Sequence, residues 1–410
     1  MKKLFLTGIA ACCGIAHAQS SVTLYGMIDG GINYTSNIQT GRGPNGALTG
    51  ASQTAMLDGG QGGVSGSRWG MRGTEDLGGG VKALFQLEGG FNFDSGTMGQ
   101  GGALFGRQAF VGVSTRYGTV TLGRQYDSMR DYVQPYAATA YTSGVMGARP
   151  GDFDNLANSR RINRAIKYTS NTYNGLVFGG LYSLGGVAGD VTQNQLWSVG
   201  VRYSGGPLSF GAAYVNARNP NLSYFGTNPN ASKTPSGNNM GSVGSATSAQ
   251  YNPIFAGFSS ARSLQLAGAG VSYAFGNTLV GLNYTNARFI DLGDTAESGP
   301  NPFNYTGTAT LNSPEIHIQY QMTPSLKVGA AYSYTKVRRA NYSDGAGYNV
   351  MSAGASYRFS ARTQLTAIVV YQTAHGTDSL NQSAVATIDG LSASATSRQT
   401  SVRLGLRHAF

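Results

Sequence analysis

The chain has 410 residues, a formal net charge of +11, 61 glycines and 24 tyrosines, and only 11% of its residues are charged. Its two cysteines, Cys12 and Cys13, adjoin near the start, which excludes a disulfide framework or thiolate zinc site in the remainder. After residue 18 no run approaches the ~20 apolar residues of a membrane-spanning helix, and the cations are scattered singly rather than gathered into a stripe, which excludes nucleic acid as a partner class.

The opening "MKKLFLTGIAACCGIAHA" has two lysines, an apolar run from Leu4 to Ile15 and then Ala16-His17-Ala18. A charged start, an apolar stretch too short to span a bilayer and an A-x-A site predict a cleaved export signal over 1–18, leaving 19–410 as one domain. An exported chain with no remaining cysteine fits a bacterial envelope. Taking Lys2 and Lys3 from the 29 cations leaves 27 against 18 acids, a net charge of +9, and arginine supplies 22 of those cations.

From residue 21 onward the dominant pattern is alternation with period two, the mark of a strand with one apolar and one polar face. "PEIHIQYQM" sets Ile316, Ile318, Tyr320 and Met322 against Glu315, His317, Gln319 and Gln321. "QLWSVGVRY" sets Trp197, Val199, Val201 and Tyr203 against Ser198, Gly200 and Arg202. Sixteen such segments follow one another: 21–34, 66–76, 80–92, 105–115, 118–126, 161–170, 176–184, 195–204, 207–218, 263–275, 277–289, 313–322, 325–337, 349–359, 363–374 and 397–410. Short connections ("RYG", "NTYNG", "SGG", "FGN", "MTPS", "SAR") alternate with long ones rich in Gly, Ser, Asn and Thr, at 35–65, 127–160, 219–262, 290–312 and 375–396. Tyr34, Tyr203, Phe275, Tyr334, Phe359 and Phe410 put aromatics at the ends of the apolar face. A soluble sandwich or propeller would need two apolar inner faces. Alternation, alternating connection lengths and aromatic rims together predict an all-β fold, a closed 16-stranded antiparallel transmembrane barrel. Its last strand, "SVRLGLRHAF", closes against the first and turns Arg403 and Arg407 into the lumen.

"SVTLYGMIDGGINY", "SRWGMRGTEDLGGGVKALFQLEGGF", "RQAFVGVSTRYGTVTLGRQYD", "NRAIKYTS" and the terminal Phe410 resemble, in order along the whole mature chain, the trimeric general-diffusion porins of Gram-negative outer membranes, β-proteobacterial branch. The resemblance implies a water-filled channel for passive diffusion of small hydrophilic solutes and ions, a homotrimer, a lipid-facing outer wall and recognition of Phe410 by the barrel-assembly machinery. It also implies that the loop after the fifth strand, 127–160, folds inward and narrows the pore with acids drawn from Asp127, Asp131, Asp152 and Asp154. The facing basic wall falls by motif on Arg68, Arg107 and Arg161, which also sit in the polar phase of their strands. Arg72, Lys82, Lys167, Lys327 and Arg358 share that lumenal phase. With the excess of cations, they predict preference for anions.

Arg124 shares phase with Val120 and Leu122 and so points outward; near mid-strand such a charge is costly in lipid, which places it at a subunit interface, with Asp94 of the 92–104 loop as a candidate partner. Arg160 and Arg164 also fall in the outward phase unless a bulge re-aims them. Enzyme chemistry finds no support: His317 beside Glu315 has no nucleophile or metal-spaced ligand set, His375 and His408 lie in a loop and at the rim, and "LGGGVKALF" lacks the Lys-Ser/Thr of a phosphate loop. No cofactor or metal site is implied. The alternatives to a channel are a structural or adhesive barrel with little conductance, and a barrel enzyme.

Overall fold

The computed structural model describes residues 21–141, 143–228, 237–342 and 344–410; the expected export signal over 1–18, with both cysteines, lies outside them. The first half of the barrel is built from β1 (Ser21–Arg42), β2 (Leu48–Asp58), β3 (Arg68–Gly78), β4 (Val81–Gly90), β5 (Gln108–Thr115), β6 (Gly118–Gln125), β7 (Ile162–Thr169), β8 (Leu176–Ser183), β9 (Leu196–Gly205) and β10 (Leu208–Arg218). β11 (Gly237–Asn238) and β12 (Gly241–Ser242) form a two-residue ladder inside a loop. The wall resumes with β13 (Ala261–Phe275), β14 (Thr278–Leu292), β15 (Gly307–Gln321), β16 (Leu326–Arg338), β17 (Asp344–Arg358), β18 (Thr363–His375) and β19 (Arg398–Ala409). Each strand pairs antiparallel with its neighbours, and β19 closes on β1 in register from Met27↔Ala409 to Thr35↔Ser401. Among the described residues no helix is long and apolar enough to cross a membrane.

The expected sixteen positions are all occupied, but the second is built differently. By alternation the first strand ends at residue 34 and 35–65 is a loop. Instead β1 continues to Arg42; its second half pairs with β2, and its first half, Ser21–Met27, pairs with β3. β2 and β3 therefore share one wall position, separated by an inward excursion over 59–67 that contains the short helix α1 (Gly59–Gly62). Bulges near Thr35/Ile38 and Gln39/Gly41 break the alternation and hide the extension.

The period-two pattern maps onto two environments. On β15, Ile316 and Ile318 are 49% and 47% exposed, whereas Glu315 and His317 are 5% and 3% exposed. An apolar face open to the outside and a polar face turned in is inverted relative to a soluble protein, and suits a lipid surround. Beside the short turns, Tyr117, Tyr173, Tyr273, Phe275, Tyr357, Phe359 and Phe410 form an exposed aromatic belt. Tyr34, Tyr284, Tyr332 and Tyr371 are exposed higher up. Tyr34 lies opposite Val402, eight residues before Phe410, so the belts are ~20–25 Å apart at ordinary strand rise and tilt, the height of an apolar membrane band.

Candidate functional site

The loop between β6 and β7 turns into the barrel immediately after Gln125. It winds as a single wide turn at Met129–Val133 and then as tight turns at Gln134–Tyr136, Ala138–Ala140, Val145–Gly147 and Pro150–Asp152. Its seat is glycine. Side chains added at Gly200 and Gly211 would occupy the space of Tyr132, and at Gly268 and Gly270 that of Met129 and Tyr136. These four lie in lumenal phase on β9, β10 and β13, so the missing side chains leave a smooth groove for backbone and rings. Farther on, the fully buried Arg149 pins the loop to the wall. Its guanidinium meets Asp154 at 3.1 Å, Glu315 at 3.7 Å, Asn283 Oδ1 at 2.8 Å and Ser313 Oγ at 2.9 Å. Glu315 also accepts from the Ala138 amide at 2.7 Å. This is the role of the His317 neighbour: His317 is 3.6 Å from Glu315 and stacks near Tyr141, as part of the loop anchor.

Arg68, Arg107 and Arg161 are brought together on the lumenal wall. Arg107 Nε donates to Glu88 at 2.7 Å, and Arg68 Nε approaches the same carboxylate at 3.8 Å. Arg107 also donates to the Tyr126 hydroxyl at 3.2 Å, and the Arg161 guanidinium lies 5.3 Å from the Tyr126 ring centre. Below them, Tyr25 donates to Glu88 at 2.9 Å and carries Arg72 over its ring at 5.3 Å. The result is a continuous ladder, Arg72–Tyr25–Glu88–Arg107–Tyr126–Arg161, in which each cation rests on an aromatic ring or a shared carboxylate. Glu88 and the two tyrosines escape the sequence reading. Glu88 stands in lumenal phase in "FQLEGG", but nothing local says that it would sit between two arginines. Lys167 is also lumenal and forms an ion pair with Asp131. Lys82 is exposed near the short-turn end.

The four loop acids behave otherwise than expected. Asp127 is wholly buried and accepts from the Arg130 amide at 3.1 Å, Asn155 Nδ2 at 2.9 Å and the Tyr224 hydroxyl at 3.1 Å. Asp152 caps the loop's exit, accepting from the amides of Ala157 at 2.8 Å and Ser159 at 3.0 Å. Asp154 belongs to the Arg149 anchor and accepts from Thr285 at 2.7 Å. Their carboxylates hold the loop's shape; only Asp131 keeps partial exposure, and it is paired. Burial pushes Asp152 up to about 6, opposed by Arg160 and reinforced by Asp154. Asp389, in the 376–397 loop, is driven well above the carboxylate range by burial and by Asp152.

Arg124 also needs correction. It is the next-to-last residue of β6 rather than a mid-strand residue. Its Nε and Nη1 bond within its own chain, to Gly106 O at 2.8 Å, Asn163 Oδ1 at 2.5 Å and Thr227 O at 2.9 Å, while Nη2 is buried without a hydrogen-bond partner among the described residues. The charge therefore rests on neutral oxygens at the end of the strand rather than lying bare in mid-membrane. Arg160 precedes β7 and turns inward, stacked 4.4 Å from the Phe225 ring centre. Arg164 sits at a bulge with φ 52° and donates to Gly185 O at 3.1 Å.

Inside this framework lies a cavity of about 760 Å³. Arg107, Arg160 and Arg161 stand on it, with amide and hydroxyl groups from the excursion, the infolded loop and the 376–397 loop around the rest. A polar, cation-bearing lumen inside a lipid-facing wall is the geometry of an aqueous path.

The comparisons with known proteins agree. The Gram-negative porin family matches residues 6–378. An outer membrane porin protein of Bordetella pertussis is 36% identical over 242 residues, covering 53% of this chain and 61% of its own. Outer membrane porin protein 32 of Delftia acidovorans is 36% identical over 220 residues, covering 51% of this chain and 57% of its own. The chain thus spans about 60% of the length of these relatives. In fold it is similar to a solved structure described as an anion-selective porin from Comamonas acidovorans, with TM-score 0.68 and 21% identity over 96% of this chain and 100% of that one. With a family match along most of its length and a closed sixteen-position barrel carrying an infolded loop, the chain belongs to the Gram-negative porins, β-barrel proteins of the outer membrane.

Proposed function

We propose that this protein forms a water-filled channel for passive diffusion of small hydrophilic solutes, with preference for anions. The observation that carries the reading is the gathering of Arg68 and Arg107 on a single carboxylate, Glu88, with Arg161 beside them on the Tyr126 ring, on the lumenal wall. Three cations against one acid leave a local excess of positive charge. A unit anion ~5 Å from one guanidinium gains less than about 1 kcal/mol at water-like dielectric, and the sum is reduced by salt. That is enough to bias ion choice several-fold and too little to trap the ion, as conduction demands. The related fold described as anion-selective supports the same direction. Arg72, Lys82 and Lys167 extend the positive lining.

The working unit in this reading is a homotrimer in outer-membrane lipid, with Phe410 presented to the barrel-assembly machinery. The outer faces of β5 and β6 present Val111, Val113, Val120 and Leu122, and the adjoining loop exposes Met98 and Leu104 at 49% and 51%. Arg124 supports that loop by holding Gly106, and so acts at the interface through it. The test of the function is reconstitution in a planar bilayer with a KCl gradient. Ohmic channels with a reversal potential favouring chloride are expected; a barrel that inserts without conducting would favour the structural or adhesive alternative.

A further inference from the structure

We propose that the 59–67 excursion is a second constriction element, which sizes the pore jointly with the infolded loop and sets the orientation of Arg68. The proposal rests on the channel reading above.

An outer-wall strand has no need to leave the wall and return. Here the departure is held at every point. Asp58 Oδ1 accepts from the amide of Gly60 at 2.8 Å and from that of Ser67 at 3.2 Å, so one carboxylate ties both feet of the excursion together. Asp29 Oδ2 accepts from the amides of Val64 at 3.2 Å and Ser65 at 3.0 Å, which clasps the middle. Arg403, fully buried, fixes Asp29 from the other side at 3.0 Å. A mere bulge would not recruit two buried carboxylates and an arginine.

The excursion reaches the other pore elements. Val145 of the infolded loop donates its amide to Gly63 O at 2.8 Å, and Gly390 of the 376–397 loop packs against the backbone of Gln61. Gln61, Val64 and Ser65 stand on the same cavity as Arg107 and Arg161. The excursion also touches the basic wall: Arg68 Nη1 donates to Ser65 Oγ at 2.7 Å and to Gly66 O at 3.3 Å. Its seven glycines and serines in "GGQGGVSGS" are small enough to fold flat, leaving Gln61 as the one long polar side chain presented to the lumen.

Cysteine scanning tests this directly, because Cys12 and Cys13 are the only native cysteines and fall in the predicted export signal. The Gln61→Cys protein is reconstituted and its conductance recorded before and after a cationic (trimethylammonium) or an anionic (sulfonate) methanethiosulfonate reagent. Conduction before labelling checks the channel reading by itself. Both adducts should lower single-channel conductance stepwise, and the anionic adduct should in addition shift the reversal potential away from chloride. Quantitative labelling with unchanged conductance, or failure to label in the open channel, would overturn the proposal. Gly60→Cys, at an exposed position of the same turn, provides the same readout where Gln61→Cys does not assemble.

Discussion

Glu88 on β4 and Arg107 just before β5, 19 residues apart, meet at 2.7 Å with both side chains nearly closed to solvent. The acid is the only negative charge in direct contact with the basic wall among the described residues, so it tunes the field that the arginines create. Glu88→Gln removes it and should raise chloride preference. Replacing Arg68, Arg107 and Arg161 together by serine should lower that preference and admit larger neutral solutes in liposome swelling. With each unit charge contributing under about 1 kcal/mol, a change of roughly two- to five-fold in permeability ratio is expected per charge. Equal shifts in the same direction from the two variants would show that the wall does not set selectivity.

The Asp29–Arg403 pair predicts a stability effect at the seam. Arg403→Leu leaves Asp29 buried without its cation, a change worth about 3–5 kcal/mol where the acid cannot be hydrated. The variant should lose heat resistance on semi-native gels, and the double change Asp29→Asn with Arg403→Leu should recover part of it. Heat resistance equal to the parent in the single variant would exclude the latch.

The glycine seat predicts that Gly200→Val drives Tyr132 off the wall. Overpacking of this kind costs about 1–3 kcal/mol. The barrel should still form, because β8–β10 pairing is untouched, while single-channel records become noisier and proteolysis within 129–160 becomes faster. Silent records and unchanged proteolysis would place the loop elsewhere.

Selectivity should also depend on pH. Burial raises Asp152 to about 6 and Asp378 to about 7. Both are negative above those values and neutral below them, so lowering the pH from 8 to 5 removes negative charge from the infolded loop, which holds Asp152, and from the 376–397 loop, which holds Asp378. Chloride preference should therefore increase on acidification, and Asp152→Asn with Asp378→Asn should flatten the response. A decrease on acidification would contradict the sign.

Arg124→Leu should let the foot of the 91–107 loop move, since Arg124 holds Gly106 O. The expected result is a trimer that dissociates at lower temperature while each barrel persists. A trimer as heat-resistant as the parent would remove this residue from the interface.

The wall was legible because period two converts directly into inside and outside: Ile316 and Glu315 report their environments without knowledge of their neighbours. Arg68 was legible for the same reason, standing in lumenal phase on β3; Arg107 and Arg161 precede β5 and β7, and on β5 it is the even-numbered residues that face the lumen, so these two were legible from their motifs and not from the alternation. What the alternation could not convey is partnership. Asp127 and Asp152 look like pore acids in a glycine-rich loop, and only the folded backbone reveals the amides that consume their oxygens. Arg149 in "GARPGDFDN" carries no periodic signal, yet it anchors the loop to β14 and β15. The excursion was hidden because the bulges before it destroy the one pattern that would have extended β1.

The closure of β1 on β19 has a further consequence for the order of events in folding. Asp29 and Arg403 are 374 residues apart in sequence. Joining chain ends that distant costs about 5 kcal/mol in loop-closure entropy before any seam contact repays it. β1 is the first strand to be synthesised and needs the last one to complete its hydrogen bonds. Until the terminal residues arrive, an apolar ribbon with an open edge must wait in water, and such a ribbon is a template for aggregation. Delivery of the finished chain is thus a problem of timing as much as of affinity, and the hazard is greatest for the residues nearest the N-terminus.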